Sequence, residues 1–330
     1  MDSAVYELII RAMELDRPID QAMGMLPQRA IEQYMDKCLI DEIVLTNGIE
    51  GVHSTRREID DALEMLAEKD RTGRFLGIVE KYHALRTRER ISIATCADVR
   101  ALYDELVLDE VVAGDPGHAP DGQFFRTGPV SVLDAAQRPI RHGVEPESEI
   151  IELMDRALSV LGDAVLPVLV RVSVFHFLFA YIHPFYDGNG RTNRFISSYV
   201  LSHSFCPIAG YRLSYSVKER IEKYYKGFSI CEHPLNKGDI TPFVTSFSEL
   251  VVDAMESMLD SLQTKQSDLA DAVGAVNRAI TTKEEDAGLW RVAFILAQAE
   301  LFSENGATTE ELCAAAEMSE PTMARKRKLI

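Results

Sequence analysis

The side chains best suited to chemistry lie between Ile182 and Arg194, in the run Ile-His-Pro-Phe-Tyr-Asp-Gly-Asn-Gly-Arg-Thr-Asn-Arg. Gly188 and Gly190 tolerate positive φ, so a loop here can curl its amide N–H groups inward. A helix starting just beyond adds unpaired N–H donors and the positive end of its dipole, and such a concavity binds phosphate. Arg191 and Arg194 stand three apart and project from one side of the first helical turns, where charge-assisted bonds can grip phosphate oxygens. Asp187 suits a hard cation such as Mg²⁺. His183 has an ordinary pKa near neutrality and can take a proton from an attacking hydroxyl. Phosphoryl or nucleotidyl transfer is the chemistry this set points to. Singly, each residue type has an ordinary structural use; their joint spacing carries the reading.

The flanking elements must hold this loop in place. An almost wholly apolar segment, Val165 to Ile182, precedes it and a second, Phe195 to Leu201, follows, which predicts helix, tight loop, helix. In the first segment Val168, Val172, Phe175 and Phe179 recur at helical spacing and other apolar residues cover the remaining sides, so this helix is buried all round. His176 within it reads as a hydrogen-bonded core residue. Glu147 to Leu161, with Ile150, Ile151, Met154 and Leu158 in a stripe, supplies a packing partner.

The run resembles the signature of the Fic family, His-x-Phe-x-Asp/Glu-Gly-Asn-Gly-Arg-x-x-Arg, with His183, Phe185, Asp187, Gly188, Asn189, Gly190, Arg191 and Arg194 in every specified place. The resemblance implies transfer of AMP from ATP to a Ser, Thr or Tyr hydroxyl of a target protein. It makes His183 the base and Asp187 the Mg²⁺ ligand. Asn189 and the loop amides become the anion hole, Arg191 and Arg194 hold the triphosphate, and Phe185 anchors the loop in the core. It also implies that Tyr224 or Tyr225 stacks on adenine. A β-hairpin flap across Phe124 to Val144 would receive the target segment by main-chain pairing, entered through Thr127, Gly128 and Val130. The resemblance covers about Asp98 to Leu262.

Upstream, Thr46-Asn47-Gly48-Ile49-Glu50-Gly51 resembles the inhibitory motif Ser/Thr-x-x-x-Glu-Gly/Asn of one Fic class, with Thr46, Glu50 and Gly51 in the specified places. The resemblance implies that Glu50 pairs with Arg194 and takes the charge that the ATP γ-phosphate would use. Gly48 inside this segment costs up to about 1 kcal/mol against alanine in a helix and loosens the brake.

The chain otherwise reads as helical. Short helices punctuated by Pro18 and Pro27 are expected from Val5 to about Leu45, then helix from Thr55 to Arg86 with a break at Thr72-Gly73, and from Asp98, as N-cap, to Val112. Gly114 to Gly122 reads as a surface loop. The hairpin turns through Leu133 to Pro139. A helix starts near Asp239 to Pro242, Met258 to Arg278 is helical, and Thr281 to Asp286 is a charged connector. Thr308 to Ala316, a turn at Glu317 to Ser319, and Glu320 to Leu329 resemble a helix-turn-helix whose second helix carries Arg325, Lys326, Arg327 and Lys328. A winged module needs residues beyond Ile330, so either the chain is cut there or the segment is a helical appendage.

The expected fold is mainly α: a Fic-type helical bundle with a small β-hairpin flap, N-terminal helices, and a C-terminal helix-turn-helix-like module. The expected domains are 1–66, carrying the inhibitory motif, 67–262, the Fic core, and 263–330. A net charge of −17 over 330 residues argues against a large nucleic-acid footprint, so any DNA contact through the C-terminal module must be local. Five dispersed cysteines without metal-site spacing, no signal pattern and no apolar run of membrane-spanning length place the protein in the cytoplasm. Implied ligands are ATP and Mg²⁺; implied partners are a target protein on the flap, the chain itself as substrate, and a second copy. Two rivals stay open: removal of AMP by the same site with Glu50 orienting water, and a nucleotide-sensing DNA-binding regulator.

Overall fold

The computed structural model describes residues 2–68, 73–133, 139–280 and 287–328. Thr72, the centre of the hairpin turn at 134–138, the charged connector at 281–286 and Leu329 lie outside the described residues.

Two long helices open the chain, α1 (Ser3–Gly24) and α2 (Gln28–Ile49). The expectation of several short helices is corrected: Pro18 lies inside α1, and only Pro27 stands at a break. An interior proline costs about 3 kcal/mol. Val5, Ala12, Leu15, Ile19 and Ala22 are all buried along α1, and each large apolar side chain contributes roughly 1.5–3 kcal/mol, enough to carry the helix through.

α3 (Arg56–Glu64) starts at a capping box formed by Thr55 and Glu58, and α4 (Leu76–Ala84) follows. α5 (Cys96–Tyr103) starts at Thr95. Asp98, expected as the N-cap, is instead the third helical residue of a second capping box, where its carboxylate accepts the Thr95 N–H. A π-helical turn, Asp104–Leu108, joins α5 to α6 (Asp109–Gly114). The Gly- and Pro-rich loop contains a short 3₁₀ turn at Pro116–His118. β1 (Ser131–Leu133) and β2 (Pro139–His142) then form an antiparallel pair, with Ser131 opposite His142 and Val132 opposite Arg141.

α7 (Glu147–Gly162) packs on α8 (Val168–Ile182), and α8 on α9 (Asn189–Ser204). Phe175, Phe179 and Val172 of α8 are fully buried, while Tyr181 near its end reaches the surface. α10 (Leu213–Glu219) and α11 (Ile221–Glu232) complete this layer. The two helical stretches expected after Asp239 are one helix, α12 (Thr241–Ile280). α13 (Ala287–Phe302), α14 (Thr309–Ala316) and α15 (Glu320–Arg327) end the described chain.

The protein is mainly α with a small two-stranded sheet. It divides into two compact units, one of residues 1–16 and 39–256, the other of 17–38 and 257–330. The first holds the signature loop, the hairpin and the last turns of α2. In the second, Tyr34 donates to Ser261 at 3.1 Å, Gln266 donates to the Ala22 carbonyl at 2.5 Å, and Val292, Ile295, Leu312, Ala316 and Met323 form a core. Among the described residues, no helix is long and apolar enough to cross a membrane.

Candidate active site

The loop between α8 and α9 is built around a strained histidine. His183 caps α8 in the left-handed region, φ 56° and ψ 63°, with its N–H on the Phe179 carbonyl at 2.9 Å. A non-glycine residue held there costs on the order of 1–3 kcal/mol. Arg126, fully buried, supplies the restraint: Nε donates to the His183 carbonyl at 2.9 Å, Nη1 to that of Gly128 at 2.7 Å, and Nη2 to that of Val144 at 2.7 Å. One guanidinium thus ties both approaches of the hairpin to the histidine's own peptide.

Phe185 anchors the loop as its residue type predicts. It is fully buried, stacked on Tyr103 at 3.7 Å and edge-on to Phe125. Tyr103 also donates its hydroxyl to the Asp187 carbonyl at 3.1 Å. Gly188 adopts φ +76° at the start of α9, and a Cβ there would press on Tyr103 and Val107. The Asn189 side chain closes on the Phe185 backbone, accepting from its N–H at 3.0 Å and donating to its carbonyl at 2.8 Å. The amide assigned to the anion hole therefore braces the loop, and an anion would meet backbone N–H groups instead.

His183, Asp187, Gly188, Asn189, Gly190 and Arg194 line one cavity of about 390 Å³, a size usual for small-molecule sites. Desolvation, helped by the nearby Arg141 and Arg126 charges, pushes the His183 imidazole down to about 4. It is neutral at pH 7, the form that accepts a proton.

The two signature arginines part company. Arg194 is buried and faces the cavity, whereas Arg191 is absent from its lining and ion-pairs with Glu110 of α6. Residues three apart on a helix differ by about 60° in direction, and here that angle separates two environments. The expectation that both hold phosphate is corrected for Arg191, which clamps α6 to α9.

Arg194 is met by the end of α2. Its Nε donates to the Thr46 hydroxyl at 2.7 Å, and its Nη2 reaches the Thr46 carbonyl at 3.0 Å and Glu50 Oε1 at 2.8 Å. Desolvation disfavours the buried guanidinium, but Glu50 leads the effects that outweigh it, and its pKa is raised. Gly51, at φ +74°, follows Glu50; the Val52 N–H returns to the Asn47 carbonyl at 2.9 Å and the Gly51 N–H to that of Gly48 at 3.4 Å. This Schellman turn makes Glu50 the helix C-cap and explains the glycine after it. A Cβ on Gly190 would run into the Glu50 carboxylate, so Glu50 lies directly over the first turn of α9, where an anion would dock.

The remaining walls come from the hairpin and α11. Arg141 on β2, which local sequence did not mark, donates to the Ala180 carbonyl at 2.9 Å and the Tyr181 carbonyl at 2.6 Å and pairs with Glu232 of α11 at 3.0 Å. Tyr224 is buried with its hydroxyl 2.8 Å from His176 Nε2, and His176 Nδ1 lies 2.8 Å from the Ser197 hydroxyl, so His176 is a satisfied core residue. Tyr225, half-buried beside it with its ring edge-on to Tyr224, lines the same cavity with Phe228. Thr127, Gly128 and Val130, expected to dock a target, are already bonded. Thr127 N donates to Asp121 at 2.8 Å, Gly128 N to the Tyr186 hydroxyl at 2.8 Å, and the Val130 carbonyl accepts from Gly143 N at 2.9 Å. They anchor the hairpin, and Ser131 and Val132 of β1 line the cavity together with Arg141 of β2.

Two turns before Glu50 on the same helix, Glu42 is fully buried. Its carboxyl accepts from the Ser214 N–H at 2.9 Å and from the Ser214 hydroxyl at 2.6 Å. Burial pushes its pKa up to about 7 against the opposing Ser214 bonds. The folded protein thus binds a proton here that the unfolded chain, with a carboxyl near 4.3, has released. This stabilisation is complete below about pH 4 and fades as pH rises through about 7. Urea midpoints should fall between pH 5 and pH 8, and Glu42→Gln should flatten that fall.

Residues 94–201 match the Fic/DOC family model. Among curated proteins, the chain is 32% identical over 123 residues to the protein adenylyltransferase Fic of Drosophila persimilis, a match covering 37% of this chain and 22% of that protein. It is 35% identical over 98 residues to the Drosophila melanogaster protein of the same name, covering 30% and 17%. These matches span about a fifth of the relatives' length. Among solved structures, a Fic family protein from Desulfovibrio desulfuricans superposes with a TM-score of 0.61 at 20% identity, over 98% of this chain and 87% of that one. Residues 134–508 of Fic-1 from Caenorhabditis elegans give 0.53 at 19% identity, over 79% and 74%.

Proposed function

Because this chain is a Fic family protein, its family domain spanning residues 94–201, we propose that it transfers AMP from Mg²⁺-ATP to a Ser, Thr or Tyr hydroxyl of a target protein, and that Glu50 restrains it. One observation carries the reading. The Glu50 carboxylate sits on Arg194 and over Gly190, at the N-terminus of α9, in a cavity whose wall also presents a neutral histidine.

In the proposed step, His183 takes the proton of the target hydroxyl as that oxygen attacks the α-phosphorus in line. The bond from the α-phosphorus to the bridging oxygen breaks, and pyrophosphate leaves. The first N–H groups of α9 and Arg194, freed from Glu50, hold the polyphosphate. Asp187, on the cavity wall, would hold Mg²⁺, which supplies charge neutralisation to the phosphates when bound. Tyr225 and Phe228 form the surface for the base. Ser131 and Val132 place an extended target segment along β1.

The test incubates a Glu50→Gly chain and a cell extract with Mg²⁺ and ATP labelled at either the α- or the γ-phosphate. Protein-bound label from the α position alone is expected. Label from the γ position would mean phosphoryl transfer, and no label from either would remove the reading.

Gly48 lies two residues before the C-cap, and a Cβ added there meets no atom within 4 Å. Gly48→Ala should therefore stiffen the end of α2. A gain of up to about 1 kcal/mol in helix stability corresponds to roughly fivefold slower transfer, read as initial rate.

A further inference from the structure

We propose that α14 and α15 form a duplex-DNA-binding surface, with α15 entering the major groove. The proposal stands independently of the transferase reading.

Its frame is the three-helix packing of α13, α14 and α15, in which each pair is in contact around Val292, Ile295, Leu312, Ala316 and Met323. α14 begins at a capping box formed by Thr308 and Glu311, so its start is fixed. Glu317 in the left-handed region, φ 55°, ends it, and Ser319 takes the N-cap position of α15 two residues later. A short turn of this kind between two packed helices is the geometry by which the second helix is presented to a groove.

The exposure of α15 then decides its partner. Met323 is fully buried and turns one side into the core. On the opposite side Pro321, Ala324, Arg325 and Lys328, at spacings of three and four, are exposed. This stripe is cationic and narrow, with one small residue beside the arginine, so it can approach base edges closely; Arg327 flanks it for a phosphate. Arg325 bonds to the Pro321 carbonyl at 3.3 Å and the Thr322 hydroxyl at 3.4 Å, and Arg327 to the Thr309 hydroxyl at 3.1 Å. These neutral oxygens give way readily to phosphate. Of the module's carboxylates, Glu311 lies 3.9 Å from Arg29, Glu304 3.7 Å from Lys37 and Glu317 3.5 Å from Arg291, while Glu310 and Glu320 are exposed in the first turns of α14 and α15. An acidic chain of net charge −17 thus offers a local basic stripe on a helix shaped for a groove.

The test uses the full chain and a pool of fluorescent 25-base-pair duplexes with randomised centres, selected over several rounds and then titrated at 50 and 200 mM NaCl. We expect one enriched sequence, bound more weakly at the higher salt. Arg325→Glu with Lys328→Glu should bind it at least tenfold more weakly, with a salt dependence shallower by about two in logarithmic slope. Both positions are exposed, so circular dichroism should be unchanged. A second variant, Arg325→Lys, should keep the salt dependence but lose discrimination among sequences. No enriched sequence, equal binding by the charge-reversed chain, or stronger binding to an RNA duplex of the same sequence would overturn the proposal.

Discussion

Replacing His183 with alanine is expected to abolish transfer of labelled AMP while leaving ATP binding in place. The imidazole is the group on the cavity wall that is held neutral by its surroundings, to about 4, and its backbone rather than its side chain is what Arg126 fixes. Truncation at Cβ therefore removes the proton acceptor without removing the loop's restraint. Loss of a positioned base lowers rates by about 10²- to 10⁴-fold. Isothermal titration with a non-hydrolysable ATP analogue, performed on the Glu50→Gly background, should give affinities for the histidine and alanine forms within about threefold. Retained transfer would take the base assignment away from His183; lost binding would show that the side chain holds the loop.

Replacing Glu50 with glycine is expected to raise transfer by about ten- to a hundredfold, the equivalent of a charge-assisted pair worth about 1.5–3 kcal/mol. The carboxylate meets Arg194 at 2.8 Å and stands where Gly190 leaves room. Its removal frees both the cation and the space above α9, and Thr46 keeps Arg194 aimed. Intact mass after incubation with ATP and Mg²⁺ reads the result as an AMP adduct on the chain or on added protein. The opposite outcome is equally informative. If Glu50 orients water for removal of AMP, Glu50→Gly will instead lose activity toward a modified protein.

The signature loop is readable in the sequence because its chemistry is local. His183, Phe185, Asp187, Gly188 and Gly190 act through the turn that they themselves build, so their spacing is their geometry. The contact between Glu50 and Arg194 was readable through resemblance alone, since nothing in either segment names the other. Arg126 and Arg141 escaped because each acts on backbone carbonyls of distant elements, and a single arginine in a loop or short strand carries no signature of that. Glu42 escaped for a related reason: a carboxylate on an amphipathic helix reads as solvated until Ser214 is seen beside it. Arg191 departs from the expectation because three-residue spacing leaves an angle between two side chains, and Glu110 holds Arg191 away from the cavity. Pro18 reads as a break on local propensity alone, and the burial of Leu15 and Ile19 on either side of it carries α1 through.

The Schellman turn at Gly51 places the Glu50 carboxylate at the C-cap of a helix whose earlier turn is anchored through Glu42. Helix ends open locally with free energies far below that of global unfolding. Under the proposed restraint, a lineage carrying this arrangement can reset its resting activity by substitutions at the tip of α2 alone. Each change of a few tenths of a kcal/mol to about 1 kcal/mol rescales the open fraction by roughly two- to fivefold. All of these positions lie outside the loop from His183 to Arg194. Output and catalytic geometry are separately heritable traits in such a protein, so selection can adjust how often it acts without altering how it acts.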